Sequence, residues 1–248
     1  MGRTSQFDKL RKKRRRKRLF RRTVAAAVLA ALAAAAVFAV TVVYQLDLRS
    51  QLENYAASLR GGGGFPVALD GMTVHRLLPM GKDVAVVTSA GTYIYNSSGA
   101  RINSCLNNYR TPQARAAGGK ILTYDLGGAD LRVDNKAKQL HALTVKGGSL
   151  LAADIAQNGA IAVAQTGVGV DAMVLAYNPR FELMYGWSVQ DSYITDVALS
   201  PRGTRMSCAG ITMEGQHIVS LLRVHHFDRD QEVARVSLPD EVIVSMVW

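Results

Sequence analysis

The chain has 248 residues, of which 48% are hydrophobic, and a formal net charge of +11 at pH 7. All of this charge lies in residues 1–22, which hold 12 basic residues and one acid, whereas the rest of the chain holds 18 of each sign. The neutral remainder excludes a basic domain with a nucleic-acid-binding face. The apolar content excludes a mostly disordered chain, and two cysteines exclude a disulfide-built scaffold.

Residues 23–44 form an uncharged stretch of 22 residues with ten alanines. At about 1.5 Å per residue a helix of this length spans about 33 Å, close to the ~30 Å hydrocarbon core of a bilayer. We therefore predict a transmembrane helix at 23–44. Because short basic flanks stay in the cytoplasm, residues 1–22 are predicted to be a cytoplasmic tail, with everything after residue 44 extracytoplasmic. A cleaved signal peptide is the alternative, because residues 37–39 resemble a cleavage point.

The basic tail is predicted to contact anionic lipid headgroups. No aromatic, Asn or Gln side chain interrupts residues 11–18, so nothing indicates base readout and no nucleic-acid partner is expected. The residues predicted to contact the membrane are Arg11, Lys12, Lys13, Arg14, Arg15, Arg16, Lys17, Arg18, Arg21 and Arg22.

Residues 45–60 are predicted to form a stalk helix that continues the membrane span. Leu48, Leu52, Tyr55 and Leu59 are spaced by four, three and four residues and therefore share one helical face. This face is a possible contact for a partner helix, although two heptads are too few to predict a coiled coil. Four consecutive glycines then end the helix, which predicts a Gly-rich linker at 61–66.

Residues 67–248 carry short apolar runs separated by Gly, Asn, Asp and Ser turns, which is typical of an all-β domain. Two features recur with a period near 40 residues, the mark of four-stranded β-propeller blades. One is a turn glycine followed by an apolar strand, at Gly81, Gly119, Gly159 and Gly203, which are 38, 40 and 44 residues apart. The other is an Asn or Asp that ends a strand, at Asn96, Asp134, Asn178 and Asp228.

We predict about four blades, at 72–105, 113–143, 150–188 and 194–237, with a β-sandwich as the alternative. Residues 242–248 align with 193–199 and are predicted to open a fifth, partial blade, and residues 65–69 are predicted to be an outermost strand that helps to close the ring. We therefore expect an incomplete ring and a truncated product, with a closed four-blade ring as the second possibility.

This layout of basic tail, single span and repeats resembles bacterial single-pass membrane-anchored β-propeller proteins with WD40-like or quinoprotein-like repeats, including a family of unknown function. The chain has no Trp-Asp dipeptide, and Trp187 and Trp248 are its only tryptophans. The resemblance thus implies an anchored propeller and transfers no functional residue.

The residues that often carry chemistry show no catalytic or metal-binding spacing. His225 and His226 are neighbours on a predicted strand and point to opposite faces, so they are unsuited to bind one metal together, and no metal is expected. A metal site that joins one of them to His217 is the alternative. Cys105 and Cys208 fall in different blades and are expected to be unpaired buried thiols. Turn residues rather than calcium ligands are expected at Asp125, Asp130 and Asp134.

These observations predict a non-enzymatic module that binds or scaffolds another envelope protein or a wall polymer, without a cofactor, on the outer side of a bacterial plasma membrane. The alternative is an envelope enzyme, a hydrolase or lyase acting on sugars or lactones in the axial pocket of the propeller. Such an enzyme needs acids or histidines at the ends of the inner strands. Asp154 and Asp196, at matching positions of two blades, are the candidates.

Overall fold

The computed structural model describes residues 23–24, 28–38, 48–69, 71–229 and 231–248. The basic residues predicted to contact lipid lie outside this range, as does part of the predicted span at 23–44. Residues 23–24 and 28–38 are helical, and no helix within the described ranges is long and apolar enough to cross a membrane. The chain divides into two compact units, Met1–Gln51 and Leu52–Trp248.

In its described residues, the second unit contains most of helix α1 (Leu48–Ser58) and four separate four-stranded sheets, which we call blades 1 to 4. Blade 1 consists of β1 (Val74–Met80), β2 (Asp83–Thr88), β3 (Gly91–Tyr95) and β4 (Arg101–Leu106). Blade 2 consists of β5 (Pro112–Ala117), β6 (Lys120–Asp125), β7 (Asp130–Asn135) and β8 (Gln139–Thr144). Blade 3 consists of β9 (Leu150–Ile155), β10 (Ile161–Gln165), β11 (Ala172–Tyr177) and β12 (Leu183–Val189). Blade 4 consists of β13 (Tyr193–Leu199), β14 (Arg205–Glu214), β15 (His217–His226) and β16 (Glu232–Pro239).

Each blade is an antiparallel meander in which every strand pairs with the next strand along the chain. The chain therefore passes from one edge of each sheet to the other without a crossover connection. The described part of this unit is therefore all-β apart from α1, and its four sheets match the predicted blades to within a few residues. Four separate sheets are inconsistent with the β-sandwich alternative, which requires two sheets packed face to face.

The four predicted turn glycines all lie between the first and second strands of their blades. Their φ angles range from +63° to +94°, a region that glycine adopts without the steric penalty of a side chain. The second predicted feature is shifted by one residue in blade 2. There the turn is made by Asn135, whose side-chain oxygen accepts the backbone N–H groups of Ala137 and Lys138, while Asp134 lies within β7.

The apolar core lies between successive blades. In β6, Ile121 packs in the cluster shared with blade 1, and the next residue, Leu122, packs in the cluster shared with blade 3. In β10, Val163 faces blade 2 and Ala164 faces blade 4. Because successive side chains of a strand point to opposite faces, a strand buried on both faces needs a continuous apolar run. This requirement explains the uninterrupted apolar runs that made the repeat visible.

Two segments that were predicted to be strands form none. Within residues 61–69, Val67 and Leu69 instead pack on Tyr93 and Tyr95, on the face of blade 1 remote from blade 2. Residues 243–248 lie beside β13 and run in the same direction, since Thr195 contacts Ile243 and Ala198 contacts Trp248. These contacts use side chains, whereas a strand requires a ladder of backbone hydrogen bonds.

Helix α1 is seated on blades 1 and 2 from residue 52 onward. Ala57 is buried in the core that the two blades share, and Ser58 donates a hydrogen bond to Asp83 of β2. Leu52, Tyr55 and Leu59 of the predicted apolar face are 68%, 61% and 61% exposed. The helix therefore packs through its small and polar side chains, and the apolar face points away from the blades.

The predicted Gly-rich linker approaches blade 1 closely. The Gly64 N–H donates to the Ser98 carbonyl at 2.8 Å, and a Cβ atom on Gly62 would lie 2.4 Å from the backbone of Ser98 and Ala100. Glycine is thus required at position 62 for contact, whereas Gly63 has open space around it.

Candidate functional site

The first strands of the four blades bring four charged residues together. These strands, β1, β5, β9 and β13, lie side by side in the order β1, β5, β9, β13, and each contributes one residue. We call Arg76, Arg115, Asp154 and Asp196 the axial cluster. The two acids are those expected from their matching positions in the repeat, whereas the two arginines were not anticipated.

Arg115 and Asp196 form an ion pair between blades 2 and 4. Nη2 of Arg115 donates to both carboxylate oxygens of Asp196, at 3.0 and 2.9 Å. Asp196 is 3% exposed, and its Oδ2 also accepts the backbone N–H of Met246 at 2.7 Å. A buried carboxylate requires such partners, because an uncompensated buried charge is costly. Asp196 is thus fully engaged within the protein.

Asp154 has a different environment. Its Oδ2 accepts the backbone N–H of Leu199 at 2.7 Å, and no basic side chain in the described ranges forms an ion pair with it. Burial raises the pKa of the Asp154 carboxyl above its ordinary value, and the nearby charge of Asp196 adds to this effect. The backbone N–H groups of Leu199 and Ile155 and the charge of Arg115 act in the opposite direction.

Arg76 is the most exposed member of the cluster. Its Nη1 donates to the carbonyl of Ala114 at 3.2 Å, which holds the guanidinium beside β5. Within the described ranges no carboxylate pairs with Arg76. Most of its five N–H donors are therefore free for a ligand.

A cleft of about 260 Å³ opens beside the axial cluster. Arg76, Arg115 and Asp154 supply its charged lining, and Asp196 does not reach it. Its apolar lining includes Leu78, Leu199, Pro201 and Trp248. The indole N–H of Trp248 donates to the Ala198 carbonyl at 2.9 Å, which fixes the ring at the wall of the cleft. The cleft thus combines two cations, one carboxyl group and an aromatic surface.

The two cysteines are free and buried, as expected. Burial raises the pKa of Cys105 to about 11 and that of Cys208 to about 12. Both thiols are therefore protonated at neutral pH, whereas nucleophilic cysteines require the thiolate.

The histidines are dispersed. His225 is buried between blades 3 and 4, where its Nδ1 lies 3.0 Å from the Tyr185 hydroxyl. His226 lies beside Asp228, and His217 pairs with Asp240 on the surface. Burial, with the nearby charge of Arg223, lowers the pKa of His225 to about 4. The described ranges contain no group of three residues arranged to hold a metal ion.

The three acids expected in turns have separate partners. Oδ1 of Asp125 accepts the backbone N–H of Thr111, and Oδ1 of Asp130 accepts the Thr144 hydroxyl. Asp134 pairs with Arg132 at 2.6 Å within β7. Each acid therefore stabilises its own part of blade 2.

Comparison with known proteins places the chain in a family. A model described as "Family of unknown function (DUF5711)" matches residues 70–248, and the chain belongs to this family. A search of curated proteins found no match.

Solved structures show the fold. Hydrazine synthase of Kuenenia stuttgartiensis is 13% identical with a TM-score of 0.51, over 73% of this chain and 53% of that chain. Kluyveromyces lactis Hsv2 with a Gly-Ser linker in place of loop 6CD is 14% identical with a TM-score of 0.50, over 69% and 56% of the two chains. The WD40 domain of Neurospora crassa Pan2 is 16% identical with a TM-score of 0.47, over 66% and 51%. The chain spans about half the length of the solved structures it matches. With the four sheets, the matches to hydrazine synthase and to Hsv2 with the Gly-Ser linker support a β-propeller-like fold.

Proposed function

We propose that this protein is a non-enzymatic, single-pass protein of the bacterial plasma membrane whose extracytoplasmic β-propeller binds another envelope protein or a wall polymer. The observation that carries the binding function is the cleft beside the axial cluster, where the Arg76 guanidinium, the Asp154 carboxyl group and the Trp248 ring meet. Binding sites are typically concave and apolar, with a few charged groups that orient the ligand.

The membrane location rests on the sequence. An uncharged stretch of 22 residues directly follows a 22-residue segment that holds 12 basic residues, a combination that orients a span with its N-terminus in the cytoplasm. A basic tail of this kind also binds anionic lipids, at about 1 kcal/mol per Lys or Arg near the surface.

Cysteine labelling of intact cells tests this topology. Both native thiols are buried, so a cysteine introduced at an exposed position dominates the signal from a membrane-impermeant maleimide. Val168 is 88% exposed in the β10–β11 loop, and Ser5 lies in the tail. We expect Val168→Cys to label in intact cells and Ser5→Cys only after permeabilisation, with the protein resistant to carbonate extraction. The reverse labelling, or recovery in the soluble fraction, contradicts the proposal.

An enzyme acting on sugars or lactones in the same cleft is the second candidate function. The observation in its favour is Asp154, a carboxyl group that lines the cleft and has a raised pKa, as a general acid requires. Incubation with oligogalacturonate and with aldonolactones, followed by chromatography, distinguishes the two functions. Product formation that Asp154→Asn abolishes establishes the enzyme, whereas binding without turnover supports the module.

A further inference from the structure

We propose that the cleft beside the axial cluster binds a sugar residue that carries a carboxylate, such as a hexuronic acid unit of a wall polymer. This inference rests on the proposed binding function and specifies the chemistry of its ligand. Three features of the cleft carry it: the charge it is able to neutralise, the placement of its carboxyl group, and its aromatic wall.

The charges favour one negative group on the ligand. Arg115 is already neutralised by Asp196, so the positive charge left for a ligand is that of Arg76. A guanidinium binds a carboxylate through two parallel hydrogen bonds, and such charge-assisted bonds are the strong ones. A phosphate monoester carries nearly two negative charges, and the second would face Asp154 and Asp196 without a free cation. A monoanionic carboxylate therefore fits better than a phosphate.

Asp154 favours a ligand with hydroxyl groups. Its Oδ2 accepts the Leu199 N–H, which fixes the carboxyl group at the edge of the cleft, where Asp154 is part of the lining. A carboxylate accepts hydrogen bonds from hydroxyl groups, and a protonated carboxyl also donates one. A sugar acid supplies a carboxylate and several hydroxyl groups within one ring.

Trp248 favours a ring with an apolar face. Trp248 is 47% exposed, and its indole N–H donates to the Ala198 carbonyl, so the ring offers the cleft its apolar surface rather than a donor. Leu78 and Leu199 extend this surface. The C–H face of a sugar ring packs on such a wall while its hydroxyl groups remain directed at Asp154. An acidic peptide side chain has a carboxylate but lacks the hydroxyl groups and the ring.

Calorimetry on the full chain in detergent tests the proposal. The probes are glucuronate, glucose as the neutral match, and a short glutamate-rich peptide as the protein-like anion. The variants are Arg76→Gln, Asp154→Asn and the control Arg110→Gln, an exposed arginine in the β4–β5 loop. Arg76 is exposed, so its substitution leaves the core intact, and an unchanged unfolding midpoint verifies this for each variant.

We expect glucuronate to bind, and glucose to bind about tenfold or more weakly, since one charge-assisted contact contributes roughly that factor. The peptide keeps the carboxylate but lacks the hydroxyl groups and the ring, so we expect it to bind about tenfold or more weakly as well. Arg76→Gln should weaken glucuronate binding by about tenfold or more and leave glucose unchanged. Asp154→Asn should weaken both sugars by a similar factor, and Arg110→Gln should weaken neither.

Three results overturn the inference: no binding of glucuronate, binding that Arg76→Gln leaves unchanged, or a peptide that binds more tightly than glucuronate through Arg76. The last result leaves the proposed binding function in place and changes the class of partner from a polymer to a protein. Failure of the membrane topology appears in the labelling experiment and leaves the affinity for glucuronate unaffected.

Discussion

The junction between blades 1 and 2 differs from the junction between blades 3 and 4 in the kinds of side chain that form it. The first includes a helix and a set of buried polar contacts: Lys136 pairs with Asp83 at 2.7 Å, Ser58 donates to the same carboxylate, and Asn54 accepts the backbone N–H of Lys136. We call these four residues the polar clamp.

The second junction is mainly apolar, and no helix of the described ranges packs into its core. Its core is rich in alanine and includes Met206 and Leu199, with Tyr185, Trp187 and Phe227 packed at its edge. Its buried charge is Arg223, which stacks over Trp187 at 5.2 Å and pairs with Asp191.

The difference shows how repeats of one pattern tolerate different junctions. Small apolar side chains let blades 3 and 4 approach directly, so burial of apolar surface is the main stabilisation of their contact, beside hydrogen bonds such as that between Tyr185 and His225. The carboxylate and ammonium groups between blades 1 and 2 require partners at defined distances, and α1 supplies some of these partners. Stability at the first junction therefore depends on individual polar contacts, and at the second on packed volume.

Removal of one partner of the polar clamp should have the largest effect. Lys136→Ala leaves the Asp83 carboxylate, which has no exposed side-chain surface, without its cation. Breaking a buried pair in this way costs about 3–5 kcal/mol, and we expect about 4 kcal/mol in urea unfolding. Lys138→Ala is the matched control, because Lys138 pairs with Glu53 on the surface and should cost at most about 1 kcal/mol. Equal losses for the two variants contradict the clamp.

A cavity in the second junction should cost somewhat less. Met206 is fully buried between blades 3 and 4, and Met→Ala in a core costs about 2–5 kcal/mol. We expect about 3 kcal/mol for Met206→Ala by urea unfolding. Met213 lies in the same strand and is 61% exposed, so Met213→Ala should change stability by no more than about 0.5 kcal/mol. A small loss at position 206 would show that the junction is loosely packed.

Acid should weaken the second junction through His225. Its pKa is about 4 in the folded protein and about 6.5 in the unfolded chain, so the unfolded state binds a proton first as the pH falls. This contribution to stability is complete above pH 6.5 and is lost between pH 6.5 and pH 4, by about 2 kcal/mol at pH 5. Urea unfolding at pH 7 and pH 5 measures the loss. His225→Gln should reduce the difference between the two pH values by that amount, whereas an unchanged difference would place its origin elsewhere.

The close approach of the Gly-rich segment should give the smallest effect. An added Cβ at Gly62 meets the backbone of blade 1, whereas one at Gly63 meets nothing within 4 Å. We expect Gly62→Ala to cost about 1–2 kcal/mol, in the range of an overpacked site, and Gly63→Ala to be neutral or slightly stabilising. Thermal unfolding of the two variants measures this difference, and identical midpoints would show that the segment is not seated on blade 1.

The four blades were predictable because their local signals repeat. Turns with a positive φ favour glycine, and strands buried on both faces require continuous apolar runs. Both features can therefore be recognised from neighbouring residues in the sequence, such as Gly159 and the strand that follows it. The surface of blades 1 and 2 on which α1 packs was not predictable from the sequence. Periodicity identified the apolar face with Leu52 and Tyr55, but the contact uses Ala57 and Ser58, whose partner Asp83 is distant in the sequence.

Two of the four residues of the axial cluster, the two acids, were predictable from the sequence. Asp154 and Asp196 occupy matching positions of two repeats, which indicated a common place in the fold. Arg76 and Arg115 lie at comparable positions of the other two first strands, but a search confined to acids and histidines missed them. Which of the four charges would pair internally depends on distances between blades, and strand patterns do not contain these distances.

The long-range contacts of α1 also have a consequence for the order in which parts of this unit fold. Each blade closes through strands that are neighbours in the chain, whereas Asn54 and Glu53 contact residues 82 to 85 positions later. Contacts of such long range form slowly, because a large loop must close first. Asn54 and Glu53 therefore reach their partners only after the β7–β8 turn of blade 2 has formed. The helix is the first element of this unit along the chain, yet its contacts with blade 2 are expected to be among the last to form.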